Sequence, residues 1–233
     1  MSIALVTFDL DDTLWSVAPV MHGAEASLRD WLAGHAPLLG PVPVEHLWAI
    51  RNRLLQTDPG LRHRLSELRR RILDLALREA GYPAAESGDL AEQGFQVFLH
   101  ARHQVDLFPE VHPTLEALAS QYCLGVITNG NADVRRLGLA DYFRFALNAE
   151  DLGIGKPDPH PFQQALQLAG VTAREAVHIG DHPGDDIAGA LAVGMRAIWF
   201  NPLGKAWAGE QPAHAEIRNL AELPGVLLEL ADR

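Results

Sequence analysis

The hydrophobic rhythm of this chain changes twice. Residues 3–8 are an apolar run with β-branched members, and the run stops at Asp9, Leu10, Asp11, Asp12 and Thr13. A short apolar run of this kind marks a strand buried on both faces. From residue 15 to about 107 the spacing becomes helical, which predicts helices over 22–34, 45–56, 61–80 and 86–104, punctuated by Pro37, Pro41, Pro43, Pro59, Gly81 and Pro83. In the third of these, Leu61, Leu65, Leu68, Ile72, Leu75 and Ala76 recur as one apolar stripe. After Pro109 helix and strand alternate. Helices are predicted over 112–120, 132–137, 161–169 and 186–193, and strands over 123–128, near Phe145, over 176–179 and over 197–200. Such alternation predicts an α/β fold, a parallel sheet with helices on both faces in three layers, which the first strand joins from across the helical stretch. The expected division is a core of residues 1–14 and 108–233 and a helical cap of 15–107.

Composition narrows the function. A formal net charge of −11 disfavours nucleic acid as a partner, although a small anion can still be gripped by a few cations. Cys123 is the single cysteine and lies in an apolar run, so an intrachain disulfide is excluded and a buried thiol is expected. There is no 18-residue apolar stretch and no basic leader, and the expected setting is cytoplasmic, away from the membrane.

The acidic residues fall where open α/β sheets bind ligands, just beyond the strands. Asp9 is placed to attack phosphorus and form an aspartyl-phosphate, which divides one difficult step into two. Asp11, two residues on, is placed to protonate the leaving oxygen and then to activate water, and its backbone carbonyl can ligate a metal. Thr128, Asn129 and Gly130 end the second strand and offer a hydroxyl and backbone N–H groups to phosphoryl oxygens. Lys156 stands in a Gly-Lys-Pro turn, where its ammonium can neutralise developing charge. Asp181 follows the strand 176–179 and is the next metal ligand. Asp185 and Asp186 open the following helix, and neighbours there diverge by about 100°, so one of them faces the metal.

With these four stretches in this order, the chain resembles the haloacid dehalogenase-like hydrolases, in particular their phosphatases with a cap inserted after the first motif. Asp9-Leu10-Asp11-Asp12-Thr13, Thr128-Asn129, Lys156 in GKPDP, and Gly180-Asp181 with Asp186 carry the likeness. The resemblance implies a Rossmann-like core and a Mg²⁺-dependent phosphatase. Catalysis would fall to Asp9, Asp11 and Lys156, and substrate binding to Thr13, Thr128, Asn129 and Lys156. Asp9, Asp11 and Asp181 would hold the metal, with Asp186 behind them and Asp185 in reserve. TNGNA, LGLADYF and HIGDHPGDDIAGALAVGM look closest to a subgroup that dephosphorylates flavin mononucleotide and the phosphorylated ribitylaminouracil of riboflavin synthesis. The expected partner is therefore a small phosphorylated metabolite, with the chain a monomer or homodimer. Dehalogenases of the family share the aspartate nucleophile but lack the acid two residues later, so Asp11 favours the phosphatase. A hydrolytic dehalogenase and a non-catalytic binding module are the alternatives.

Four features have plainer readings. The basic cluster Arg62, His63, Arg64, Arg69, Arg70 and Arg71 is read mainly as the wet face of an amphipathic helix, with Arg69 or Arg71 the members to reach a substrate. Trp15 either packs in the core or stacks on an aromatic substrate. His178, in a buried strand, is read as a satisfied core residue, and His182 as a neighbour of the site.

Overall fold

The computed structural model describes residues 2–232; Met1 and Arg233, which the expected core boundaries include, lie outside the described residues. The chain divides into two compact units, one made of the residues up to Ser16 together with those from Asp106 onward, the other of Val17–Val105.

The second unit is helical: α1 (Val17–His35), α2 (Val44–Thr57), α3 (Leu65–Glu79) and α4 (Ala84–Arg102). Its core gathers Ala24 and Leu28 of α1, Leu73 and Leu77 of α3, and Phe95 and Phe98 of α4. Gly94 lets α1 approach, since a Cβ there would stand 3.1 Å from Leu28 Cδ1. The predicted helix 61–80 is broken. Residues Pro59–His63 form a 3₁₀ turn and α3 starts only after Arg64, whose guanidinium reaches back 2.6 Å to Asp58. The break rotates the expected stripe: Leu65 is exposed, while Leu68, Leu73, Ala76 and Leu77 are buried. The cluster of basic residues is not simply a wet face. Arg69 pairs with Glu25 and lies 3.6 Å over the Phe98 ring, and Arg70 pairs with Glu92 and lies 3.9 Å over Phe95. Their charges are answered within this unit, and their planar heads cover its aromatic core.

The first unit is built on a six-stranded parallel sheet of β1 (Leu5–Phe8), β2 (Cys123–Thr128), β3 (Phe145–Asn148), β4 (Ala176–Gly180), β5 (Arg196–Phe200) and β6 (Ala215–Ile217). The strand order is β3-β2-β1-β4-β5-β6, and every pairing is parallel. β1 is thus central and entirely buried, as its apolar run requires. Around the sheet lie α5 (Val111–Ala119), α6 (Ala149–Leu152), α7 (Pro159–Ala169), α8 (Gly189–Ala192) and α9 (Leu223–Ala231), with α5 packed on α9 and α7 on α8. Phe162, Ala165, Ile187 and Ala190 bury one sheet face against Leu5, Ile127, Ala176 and Trp199. Each large apolar side chain so buried contributes roughly 1.5–3 kcal/mol.

Three local expectations change. Residues 132–137 are a series of turns, because the Asp133 carboxylate takes the Arg135 N–H at 2.9 Å and Gly138 then turns the chain at φ 70°. The expected helix 186–193 is a wide π-helical turn, Pro183–Ala188, followed by the single turn of α8. Cys123, expected buried, is half-buried at the start of β2. The two crossings between units leave the first one side by side, joined by the Phe108 N–H on the Leu14 carbonyl at 2.9 Å. Among the described residues no helix is long and apolar enough to cross a membrane.

Candidate active site

Strand order reverses at β1: the chain moves outward to β2 and β3, then returns to the other side through β4 and β5. A crevice forms at the carboxyl ends of strands at such a point. A cavity of about 210 Å³ opens there, lined by Asp9, Asp11, Asp12, Thr128, Asn129, Gly130, Lys156, Asp181, His182, Asp185 and Asp186. Every sequence-derived site residue except Thr13 is in that set.

The turn after β1 explains the exception. The N–H groups of Thr13 and Leu14 both bond to the Leu10 carbonyl, at 3.2 and 2.8 Å, and Asp12 takes φ 56°, a left-handed conformation that Asp tolerates better than most residues. This turn leaves Asp11 and Asp12 on the cavity and rotates Thr13 inward, fully buried with no hydrogen-bond partner for Oγ1. Thr13 is therefore no substrate-binding residue. Trp15 closes the same turn: it is fully buried, and its Nε1–H donates to Asp11 Oδ1 at 3.1 Å. That excludes stacking on a substrate and instead orients the Asp11 carboxylate.

Lys156 is at the centre of the charge arrangement. Its side chain is 2% exposed, and Nζ donates to Asp9 Oδ1 and to Asp186 Oδ1, both at 2.6 Å. Two of its three protons are thus placed, and the third is available to an incoming oxygen. Asn129 holds the lysine loop. Its Oδ1 accepts the Lys156 N–H at 2.8 Å, and its Nδ2–H₂ donates to the Lys156 carbonyl at 2.9 Å and to Asp185 Oδ2 at 3.4 Å. This clamp uses both ends of the Asn129 amide, so what Asn129 has left to offer a phosphoryl oxygen is its backbone N–H. Gly155 permits the clamp, since a Cβ there would collide with Asn129 Oδ1. Thr128 Oγ1 accepts the Gly130 N–H at 3.1 Å, which leaves its own proton to donate.

The two acidic neighbours separate clearly. Asp186 is buried: Oδ1 takes Lys156 and, at 3.1 Å, His178 Nε2, while Oδ2 takes the His182 N–H at 2.9 Å. Asp185 lies at the cavity rim, with its side chain 40% exposed and its N–H on His182 Nδ1 at 2.9 Å. Asp181 lines the cavity, and its backbone carbonyl accepts Trp199 Nε1–H at 2.8 Å.

The electrostatics are those of an anionic site short of cations. Burial pushes the Asp9 carboxyl up to about 7; Lys156 opposes the rise, and Asp186 and Asp11 add to it. Burial, followed by the charges of Asp186 and Asp12, pushes Asp181 up to about 6. Burial works against an ionised Asp186 too, but the Lys156 ammonium and the His178 hydrogen bond outweigh it and hold this carboxyl well below the usual range. Lys156 is raised, because Asp186 and Asp9 outweigh its own desolvation.

Asp9, Asp181 and Asp186 each offer one oxygen within 4.8 Å of the others. This hard, all-oxygen donor set, with two carboxyls raised by burial and by neighbouring negative charge, fits a divalent cation of the Mg²⁺ type. Asp186 already has three hydrogen-bond donors, so Asp9 and Asp181 are the side chains with capacity to spare.

Comparison with known proteins agrees with this geometry. The 5-amino-6-(5-phospho-D-ribitylamino)uracil phosphatase YigB of Escherichia coli (strain K12) is 33% identical over 229 residues, 97% of this chain and 96% of its own. The crystal structure of 2-haloacid dehalogenase from Pseudomonas syringae pv. Tomato DC3000 matches with a TM-score of 0.97 at 67% identity, covering 98% of this chain and 100% of that one. The HAD-hydrolase YfnB from Bacillus subtilis, solved bound to magnesium, matches with a TM-score of 0.69 at 26% identity, covering 97% and 99%. The model of haloacid dehalogenase-like hydrolases matches residues 3–194, and the chain belongs to that family.

Proposed function

We propose that the chain is a Mg²⁺-dependent phosphoric monoester hydrolase acting on a small phosphorylated metabolite, with a ribityl or flavin phosphate as the first candidate. The observation that carries this reading is the charge of the cavity, where six aspartates face one lysine. An anionic substrate is repelled there unless a cation enters with it, since two unit charges about 4 Å apart repel by about 4 kcal/mol at an effective dielectric of about 20. Asp9 and Asp181, with the Asp11 carbonyl, are the groups that would hold Mg²⁺. When bound, the ion supplies charge neutralisation at the phosphoryl oxygens.

The side chains then have distinct tasks. Asp9 attacks phosphorus and the P–O bond to the leaving group breaks, giving an aspartyl-phosphate. Asp11, oriented by Trp15, gives its proton to the departing oxygen. It next accepts a proton from water, which attacks the phosphorus, releases inorganic phosphate and restores Asp9. Lys156 and the Thr128 hydroxyl donate to the transferring oxygens. YigB, named as a phosphatase of a phosphoribityl compound, supports the choice of substrate class.

A second reading, 2-haloacid hydrolysis, is favoured by the 67% identical Pseudomonas syringae structure. A halide leaves without a proton and that route needs no metal, so Asp11 and the excess of carboxylates would have no task. Phosphate release is expected from p-nitrophenyl phosphate, a ribityl phosphate or flavin mononucleotide with Mg²⁺, and none after chelation. Halide release from 2-chloropropionate in the presence of a chelator, with all the phosphate esters inert, would replace the first reading by the second.

A further inference from the structure

His178 lies in the middle of β4, wholly buried, with Thr7 as its register neighbour on central β1. Both ring nitrogens are engaged. Nδ1 is 2.9 Å from Thr7 Oγ1 and Nε2 is 3.1 Å from Asp186 Oδ1, while Phe162 packs edge-on against the ring at 5.2 Å. An ionised carboxylate only accepts hydrogen bonds, so the hydrogen must be on Nε2. Nδ1 is then a bare acceptor, and the Thr7 hydroxyl donates to it at 2.9 Å in preference to the more distant Val177 carbonyl at 3.4 Å. Thr7, His178, Asp186, Lys156 and Asp9 form one continuous chain of polar contacts through an otherwise apolar core. Burial lowers the His178 pKa, which agrees with a neutral ring.

The chain has a direction. Asp186 Oδ1 shares its lone pairs between His178 and Lys156, and Oδ2 is held by the His182 N–H. Without the histidine donor, Oδ1 is held by the Lys156 ammonium alone, and the carboxylate can turn about its fixed Oδ2. The ammonium that bridges Asp186 to Asp9 would swing with it.

We propose that His178 is a positioning residue: as a neutral Nε2–H donor fixed by Thr7, it sets the rotation of the Asp186 carboxylate and thereby places the Lys156 ammonium on Asp9. The kinetic part of this inference rests on the phosphatase reading; its structural part does not.

Two substitutions separate positioning from mere filling of the core. In His178→Gln the side-chain amide nitrogen falls near the place of Nε2 and can still donate to Asp186. In His178→Asn the shorter amide reaches only the place of Nδ1. With p-nitrophenyl phosphate and Mg²⁺, His178→Asn is expected to lower kcat by about 10- to 100-fold with little change in KM, as is usual for residues that orient a site from behind, and His178→Gln to recover most of it. Equal losses in the two variants, or a loss confined to KM, would overturn the proposal. Long-range ¹H–¹⁵N spectra of the unaltered protein are expected to show the Nε2–H tautomer, and an Nδ1–H tautomer would also overturn it. If no ester is turned over by the unaltered protein, the function fails separately. The tautomer and a crystal structure of His178→Asn then decide about His178, since an unmoved Lys156 ammonium on Asp9 in that variant would refute its role.

Discussion

Replacing Lys156 by methionine keeps most of the side-chain stem and removes the charge between two buried carboxylates. In the native arrangement the lysine, Asp9 and Asp186 side chains are 2%, 11% and 1% exposed. The oxygens that Asp9 and Asp186 offer to a common point lie within 4.8 Å of each other. At that separation and an effective dielectric of about 20, two negative charges repel by about 3.5 kcal/mol. Breaking a buried ion pair from one side usually costs about 3–5 kcal/mol, so a loss of about that size is expected at pH 8 without metal. The protein can relieve the repulsion by protonating Asp9, whose carboxyl is already raised to about 7. A carboxyl raised on folding contributes its full stability below the unfolded value of 3.8, and the contribution is lost as pH rises through about 7. Loss of the lysine raises the carboxyl further. The destabilisation should therefore be smaller at pH 5 than at pH 8, and Mg²⁺ should restore part of it at pH 8. Urea unfolding at the two pH values, with chelator and with Mg²⁺, measures all of this. A loss at pH 8 below about 1 kcal/mol, well under the cost of breaking a buried pair, or a larger loss at pH 5, would refute the electrostatic reasoning.

Asp9→Asn should reduce turnover by about 10⁴-fold or more, as expected when a nucleophile is removed. The same variant should gain stability relative to the unaltered, metal-free protein as pH rises from 4 to 8, because the raised Asp9 carboxyl is then gone; thermal unfolding that shows no such widening gap would count against the raised value. Asp11→Asn should slow alkyl phosphates more than p-nitrophenyl phosphate, whose leaving group departs without a proton, and equal losses in steady-state kinetics would remove its acid role. Gly180→Ala would drive a Cβ into the Asp186 carboxylate, so a loss of turnover with about 1–3 kcal/mol of destabilisation is expected; kinetics and melting like those of the native chain would mean that Asp186 can move without consequence.

What the sequence made visible follows from the physics of buried parallel strands. β1, β2 and β4 each read as an apolar run because both faces are covered, and the first polar residue after each run is a residue of the cavity or its immediate neighbour. That is why Asp9, Thr128 and Asp181 could be placed before any coordinates. β6 was missed because Ala215–Ile217 is three residues long, includes a glutamate and lies at the sheet edge. The contacts made by neighbouring side chains were equally hidden. Trp15 on Asp11 depends on the left-handed turn at Asp12, and the Asn129 clamp joins residues 27 apart. The Thr7–His178 contact exists only because β1 and β4 pair in one particular register across 171 positions. Thr13 shows the opposite error: its place in the motif suggested contact with substrate, but the same turn that presents Asp11 sends it inward.

The centre of the sheet is occupied by the strand that is synthesised first. Its two neighbours begin at Cys123 and Ala176, so the backbone of Leu5 is paired on one side by β2 but stays open on the other until the chain has grown by about 170 residues. At roughly 5–20 residues per second, the second edge of this apolar strand waits roughly 10–30 s. The helical stretch made in the meantime has its own core and can condense during translation, whereas the unit built on the sheet closes only once β4 has emerged. A ribosome stalled between β2 and β4 would therefore hold a chain with its helical unit compact and one adhesive edge of β1 open, the kind of intermediate that holdase chaperones bind.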